Sequence, residues 1–333
     1  MTGTGSGGGA GHEARGATLL RLGTRRSQLA LSQARTVADA VVEQTGERVE
    51  LVEIVTQGDR SSTAVAQLGG TGVFVSALRD ALRAGEIDLA VHSLKDLPTA
   101  ADDDVVLAAV PFRADPRDAL CCPSGWTLGE LAPGTLVGTG SPRRAAQLRA
   151  LGQELNVVAI RGNVDTRLRK VEAGEVDAVV LARAGLARIG RLDAVTEVID
   201  PLQMLPAPGQ GALAVECRAS DDALAAMLAA ALDDLGSRAA VAAERAFLAA
   251  VEAGCTAPVG ALADVAEDEL YLRGVIASLD GEEVFRQSMT GAVTDPGEVG
   301  RRLAREMFEL GAADVLASPP TGGSPMSTGE QPQ

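Results

Sequence analysis

Gly85-Glu86-Ile87-Asp88-Leu89-Ala90-Val91 and, eighty-nine residues on, Gly174-Glu175-Val176-Asp177-Ala178-Val179-Val180 are two versions of one phrase. Each begins with a glycine after a helical pattern, passes through an acidic pair, and opens an apolar run short enough for a buried strand. A second echo flanks the first. Gly23-Thr24 leads into a helix starting near Ser27. Gly138-Thr139 leads into one at Ser141-Pro142, where serine suits the N-cap and proline the first helical turn. A strand-turn-helix-strand unit used twice predicts two α/β lobes of similar topology with a ligand between them.

Working outward, strand and helix signals alternate through the first lobe. A strand is expected over Thr18–Leu22, a helix from about Ser27 to Gly46, and a strand over Val49–Val55. A helix over Val73–Ala84 places Phe74, Leu78 and Leu82 on one face, and a strand runs over Asp88–Ser93. This alternation predicts a mostly parallel sheet. The polar, glycine-containing segment 56–72 has no counterpart in the second lobe and reads as a mobile loop. From Gly236 the character changes to a long Ala-rich helix, Ser237–Ala253, then short strands near Val259–Leu262, Tyr271–Ala277 and Glu283–Thr290. A last helix runs to about Leu310. That pattern reads as a separate small α+β domain. Residues 1–17 and 318–333 are Gly- or Ser/Pro-rich with little to bury and read as tails. The division expected is 18–111 with 212–232 for the first lobe, 112–211 for the second, and 233–317 for the C-terminal domain.

Bulk properties exclude several classes. A chain of 333 residues exceeds one compact core. No apolar run approaches a membrane span, and no basic-then-apolar leader opens the sequence, so a cytoplasmic protein is expected. A formal net charge of -15 argues against nucleic acid as a partner. Against that acidic background, Thr139–Lys170 holds seven basic residues and two acidic ones. Solvated helix faces are the plain explanation; a site for a small polyanion is the sharper one. There are two lysines, Lys95 and Lys170, in a chain that otherwise uses arginine, so the compact ammonium at 95 is a mild hint. Four cysteines without C-x-x-C spacing and two histidines predict no metal site.

Three strand-to-helix turns carry arginine: Arg25-Arg26-Ser27, Ser141-Pro142-Arg143-Arg144, and Arg161-Gly162-Asn163. Helix N-termini attract anions, and arginine adds bidentate carboxylate recognition. Three such turns suggest a ligand with several carboxylates. Lys95 and Asp96 follow the central strand of the first lobe, the end at which open α/β sheets bind ligands. Cys255 sits in a loop after a helix C-terminus, a position that does not favour a thiolate. A buried, unreactive cysteine fits there, and so does one used as a permanent tether, which needs no histidine partner.

Taken in order, Arg21–Ala34 (RLGTRRSQLALSQA), Val91–Pro98 (VHSLKDLP), Asp115–Ala119 (DPRDA), Gly138–Arg144 (GTGSPRR), Arg161–Leu168 (RGNVDTRL), Leu205–Arg218 (LPAPGQGALAVECR) and Glu244–Gly260 with its EAGCTAPVG resemble the porphobilinogen deaminase family over about residues 18–317. The resemblance implies two lobes like those of type II periplasmic binding proteins plus a small C-terminal α+β domain. It implies a transferase of heme and tetrapyrrole biosynthesis that condenses porphobilinogen into hydroxymethylbilane and acts as a monomer. Cys255 matches the family cysteine that carries a dipyrromethane cofactor through a thioether, and Asp96 matches the catalytic aspartate. Lys95, Thr139, Ser141, Arg143 and Arg144 match groups that hold the cofactor; Arg25, Ser27, Arg161, Arg167 and Arg188 match residues along the substrate and growing chain. The family's loop often reads G-G-K-G; here Gly69-Gly70-Thr71-Gly72 stands in its place, and Gln67 replaces a lysine shortly before it. The competing class is a two-lobed solute-binding protein for a small carboxylate, which leaves the third domain and Cys255 unexplained.

Overall fold

A computed structural model describes residues 18–54, 72–251 and 258–317. The first lobe opens with β1 (Leu19–Thr24), α1 (Gln28–Thr45), β2 (Arg48–Glu53), α2 (Gly72–Arg83), β3 (Leu89–Ser93) and β4 (Val105–Ala109). The chain crosses to β5 (Asp118–Cys121), β6 (Leu136–Thr139), α3 (Pro142–Ala150), β7 (Asn156–Ala159), α4 (Val164–Glu172), β8 (Ala178–Ala182), α5 (Arg183–Arg188) and β9 (Glu197–Val198). It returns through β10 (Leu213–Arg218) and α6 (Asp222–Leu232), and finishes with α7 (Leu235–Ala250), β11 (Val259–Ala266), β12 (Glu269–Ala277), β13 (Val284–Ala292), α8 (Pro296–Glu309) and α9 (Ala312–Ala317).

Two of the sheets are the same sheet built twice. Their strand orders are β2-β1-β3-β10-β4 and β7-β6-β8-β5-β9. In each, one strand runs against the rest: β10 is antiparallel to β3 and β4, and β5 to β8 and β9. The reversed strand is in both cases the one that arrives from the other lobe. The sheets are therefore mixed rather than simply parallel.

The sequence echo falls on equivalent strands. Gly23 pairs with Ala90 as Gly138 pairs with Val179. Gly85 and Gly174 end their helices at φ 67° and 71°, the left-handed region that costs glycine least. The aspartates that follow do matching work. The Asp88 carboxylate accepts from the Arg21 backbone N–H at 2.9 Å, and that of Asp177 from Leu136 N–H at 2.8 Å. Each ties the start of one strand to the start of its neighbour.

Local signals set most boundaries. Ser27 caps α1 by accepting from Ala30 N–H, and Gly46 closes it at φ 74°. The helix buries Gln33, Ala34, Val37, Ala38 and Val41, a stripe at helical spacing. Ser141 caps α3, with Pro142 in its first turn. Helix α7 starts two residues before the expected Ser237 because Asp234 is the cap, accepting from Ser237 N–H. Its expected end at Ala253 lies outside the described residues, as do Cys255 and all but the last residue of the segment 56–72. Strand β11 is longer than expected, and the chain resumes as α9 after Gly311, where Ala312 is buried in the C-terminal core.

The C-terminal domain packs α7 and α8 on the three-stranded sheet β11-β12-β13 around the fully buried Phe247. It also grips both inter-lobe crossings. Glu244 on α7 has no exposed surface. It accepts from Arg113 Nη1 and Nη2 at 2.7 and 3.0 Å, from Gly209 N–H at 2.6 Å and from Ala263 N–H at 2.8 Å. Arg113 lies on the outgoing crossing, Gly209 on the return, and Ala263 in β11.

Candidate active site

Lys95 and Asp96 sit in a single helical turn, Leu94–Asp96, directly after β3. The turn is held from three sides. Leu94 is fully buried, its N–H donates to Ala212 O at 3.0 Å, and Arg245 of α7 donates to the carbonyls of Leu97 and Pro98 at 3.1 and 2.6 Å. Lys95 Nζ donates to Gln210 Oε1 at 3.2 Å, and burial, aided by Arg144, lowers its pKa to about 8. Burial pushes the Asp96 carboxyl up, opposed by Lys95, Arg25 and His92. Asp96 lines a cavity of about 70 Å³ with Arg25, Ser27, Gln33, His92 and Ser93.

The second lobe brings its own turn to the same place. Thr139 is buried, and its Oγ1 accepts from Ser141 N–H at 3.2 Å. Arg143 and Arg144 are buried on either side of Asp118. Arg143 Nη1 lies 2.8 Å from Oδ2, and Arg144 Nε and Nη2 donate to Oδ1 at 3.0 and 2.8 Å. Burial would raise the Asp118 pKa; the two guanidinium groups overcome it and hold the carboxyl well below the usual range. Arg143 Nε remains buried without a hydrogen-bond partner.

Arg167 on α4 reaches back to this turn. A Cβ on Gly140 would sit 2.7 Å from Ile160 O, which only glycine avoids, and 3.1 Å from Arg167 Nη2, so the guanidinium packs closely on this turn. Arg167 Nε is buried with no hydrogen-bond partner, and Arg167 has no carboxylate partner among the described residues. Burial lowers its pKa, and Arg144 adds to that. Arg188, at the end of α5, donates to Gly211 O at 2.6 Å, and burial brings its pKa to about 10. Arg25 and Ser27 stand at the start of α1 on the rim of the Asp96 cavity. Arg161 is exposed on its turn. Thus Asp96, Arg25 and Ser27 share one cavity; Lys95 faces Arg143, Arg144 and Asp118 across the cleft; Arg167 packs on Gly140 of the same turn; Arg188 bonds the return crossing, and Arg161 is exposed on its own turn.

Sequence reading passed over several residues that build this site. Asp118 anchors both arginines. Gln210 bridges the lobes: its Nε2 donates to Pro116 O at 2.7 Å and Asp118 Oδ1 at 2.8 Å, while its Oε1 receives Lys95. Both lie within quoted motifs, DPRDA and LPAPGQG. The signal was a polar residue in an otherwise apolar or turn-forming stretch.

Six cations (Arg25, Lys95, Arg143, Arg144, Arg167, Arg188) and two carboxylates (Asp96, Asp118) belong to this region. Desolvated cations without anions cost free energy unless a ligand supplies the counter-charge. Arg167 is such a cation among the described residues, and the buried Nε atoms of Arg143 and Arg167 are donors with no hydrogen-bond partner there. The residues therefore fit an acidic, multiply carboxylated group.

Two like lobes with a cationic cleft between them, braced by a third domain, define a two-lobed α/β protein built around a polyanionic small molecule. The family is then set by the comparisons. Residues 20–226 match the model described as "Porphobilinogen deaminase, dipyromethane cofactor binding domain", and residues 238–309 its "C-terminal domain". A porphobilinogen deaminase of Mycobacterium tuberculosis is 58% identical over 307 residues, covering 90% of this chain and 98% of its own. One from Nocardia farcinica is 58% identical over 308 residues, covering 90% and 88%. The chain belongs to the porphobilinogen deaminase family. Immunogenic lipoprotein A from Vibrio vulnificus superposes on 64% of this chain and 94% of its own at 14% identity and TM-score 0.41. Family membership makes the chain a transferase of tetrapyrrole biosynthesis with a dipyrromethane cofactor, and sets aside the solute-binding alternative. No helix among the described residues is long and apolar enough to cross a membrane.

Proposed function

We propose that this chain condenses four porphobilinogen molecules onto a dipyrromethane held by a thioether to Cys255, then releases hydroxymethylbilane by hydrolysis, with one ammonia lost per addition. The observation that carries this reading is the meeting of Lys95, next to Asp96 on the β3 turn, with Arg143, Arg144 and Asp118 across one cleft. When bound, the dipyrromethane supplies a nucleophilic pyrrole α-carbon and a primer that stays on the protein. Lys95, Thr139, Ser141, Arg143 and Arg144 hold its acetate and propionate arms. Arg25, Ser27, Arg161, Arg167 and Arg188 bind the carboxylates of the incoming substrate and the growing chain, each ring bringing two more.

Asp96 is the catalytic group. Burial raises its proton affinity while Lys95 and Arg25 restrain the rise, so it both exchanges protons and opposes positive charge as ammonia leaves the substrate. The cationic walls offset the repulsion of the carboxylates for one another. We place the first lobe at 18–111 with 212–232, the second at 112–211, and the C-terminal domain at 233–317, and read the protein as a cytoplasmic monomer.

Intact mass of the purified protein beside its Cys255→Ser variant tests the tether. Wild type, directly or after incubation with porphobilinogen, should carry the extra mass of a dipyrromethane and the variant should not. A wild type that stays at polypeptide mass refutes the reading.

A further inference from the structure

Beneath Asp96 lies a buried charged chain that none of the substrate-binding assignments use. His92 precedes Asp96 by four residues, on β3. In the antiparallel register with β10, His92 faces Ala214 and Glu216 faces Ala90, so His92 and Glu216 are diagonal neighbours on one face of the sheet. His92 Nε2 lies 3.3 Å from Glu216 Oε2. Arg79 of α2 clamps the same carboxylate, Nε to Oε2 at 3.1 Å and Nη2 to Oε1 at 2.6 Å, and continues to Asp102 at 3.3 Å. His92 and Glu216 are 7% and 2% exposed. A sheet interior gains nothing in stability from a buried ion chain that well-packed apolar side chains would not supply. This one ends at the catalytic cavity, where His92 lines the wall that Asp96 shares.

We propose that His92 is a positioning residue for Asp96: packed in ion-pair range of Glu216, which Arg79 clamps, its imidazole sets the electrostatic surroundings in which Asp96 gains and loses its proton. The proposal rests on the reading of Asp96 as the catalytic group. Facing this pair are Lys95 on the same turn, Arg25 after β1, Glu216 on β10, Arg79 on α2 with Asp102 behind it, and Arg245 on α7. Among them, Lys95, Arg25 and His92 are the groups that favour the charged form of Asp96.

The test is the pH profile of kcat in holoenzyme carrying His92→Gln. Loss of the imidazole should move the acidic limb upward by about one pH unit, the usual effect of one nearby charge, which is about tenfold in kcat on the limb, with KM within about twofold. A uniform fall in kcat at every pH, or a profile superposing on wild type, overturns the proposal. A second measurement does not depend on that variant folding. The chain has two histidines, His12 and His92, so the His92 imidazole can be followed by NMR. Linkage requires its titration midpoint to fall by a similar amount in Asp96→Asn, and an unmoved midpoint overturns the proposal. Wild-type turnover in Asp96→Asn would instead remove the catalytic reading beneath it, and is separable from the other results.

Discussion

Replacing Glu244 by glutamine tests whether the third domain holds the two lobes together through one carboxylate. Glu244 is wholly buried and accepts four hydrogen bonds, two from Arg113 on the outgoing crossing, one from Gly209 on the return and one from Ala263 of β11. The amide keeps the volume but turns an N–H₂ toward one of those donors and leaves Arg113 a buried cation without its anion. Breaking one partner of a buried pair costs about 3–5 kcal/mol. At roughly 2–4 °C per kcal/mol for domains of this size, the first thermal transition should fall by about 10 °C. Arg113→Met should do similar damage alone. In the double variant no charge is left unpaired, so its loss should be smaller than the sum of the singles by at least about 1–2 kcal/mol. Urea denaturation of the four proteins measures this cycle. Additivity within about 0.5 kcal/mol, the behaviour of independent sites, would refute the claim that Glu244 and Arg113 act as one lock.

Lys95 titrates near pH 8, so holoenzyme formation from the apo-protein and porphobilinogen should weaken as pH rises from 7 to 9, and Lys95→Arg should remove that weakening. Because the folded lysine releases its proton before the unfolded one does, wild type should also gain stability relative to Lys95→Met between about pH 8 and 10.5. Arg167→Leu removes a buried cation with no carboxylate partner among the described residues. Thermal denaturation should show the apo-protein unharmed or stabilised, while product formation should fall by at least about tenfold, one lost charge-assisted contact. At Glu216, burial raises the pKa, but the neighbouring His92 and the bonds from Arg79 prevail and bring it to about 2. That stabilisation is complete above about pH 4.5 and is lost as pH falls toward 2, so acid unfolding of Glu216→Gln should show a shallower pH slope than wild type.

Much of this was legible before any coordinates. The glycine-acidic-aspartate echo marked the equivalent strands β3 and β8, because a left-handed helix stop and a carboxylate staple are local chemistry. Ser27, Gly46, Ser141 and Pro142 likewise act on their own neighbours. What stayed hidden depends on contacts distant in sequence. Gln210 lies 115 residues from Lys95, and Glu244 lies 131 from Arg113. His92 read as an ordinary strand residue because nothing nearby in the chain shows Glu216 beside it, 124 positions on. The reversed strands also escaped notice, since an apolar run carries no record of its direction. Arg143 and Arg144 were read as facing a ligand, whereas in the fold they also build Asp118 into the wall. Only the three-dimensional neighbourhood separates those two uses of a guanidinium group.

The placement of β10 has a consequence for the order in which the protein can be made. In the first lobe β10 lies between β3 and β4, so β4 has no strand beside it until residues 213–218 have been synthesised. The second lobe draws all five of its strands from one continuous stretch, residues 118–198. On the ribosome, the lobe encoded second can therefore close its sheet first. The N-terminal lobe waits with a strand edge exposed, the condition in which nascent chains are most open to wrong pairing. Birth order and folding order run in opposite directions, and the six residues of β10 end the wait.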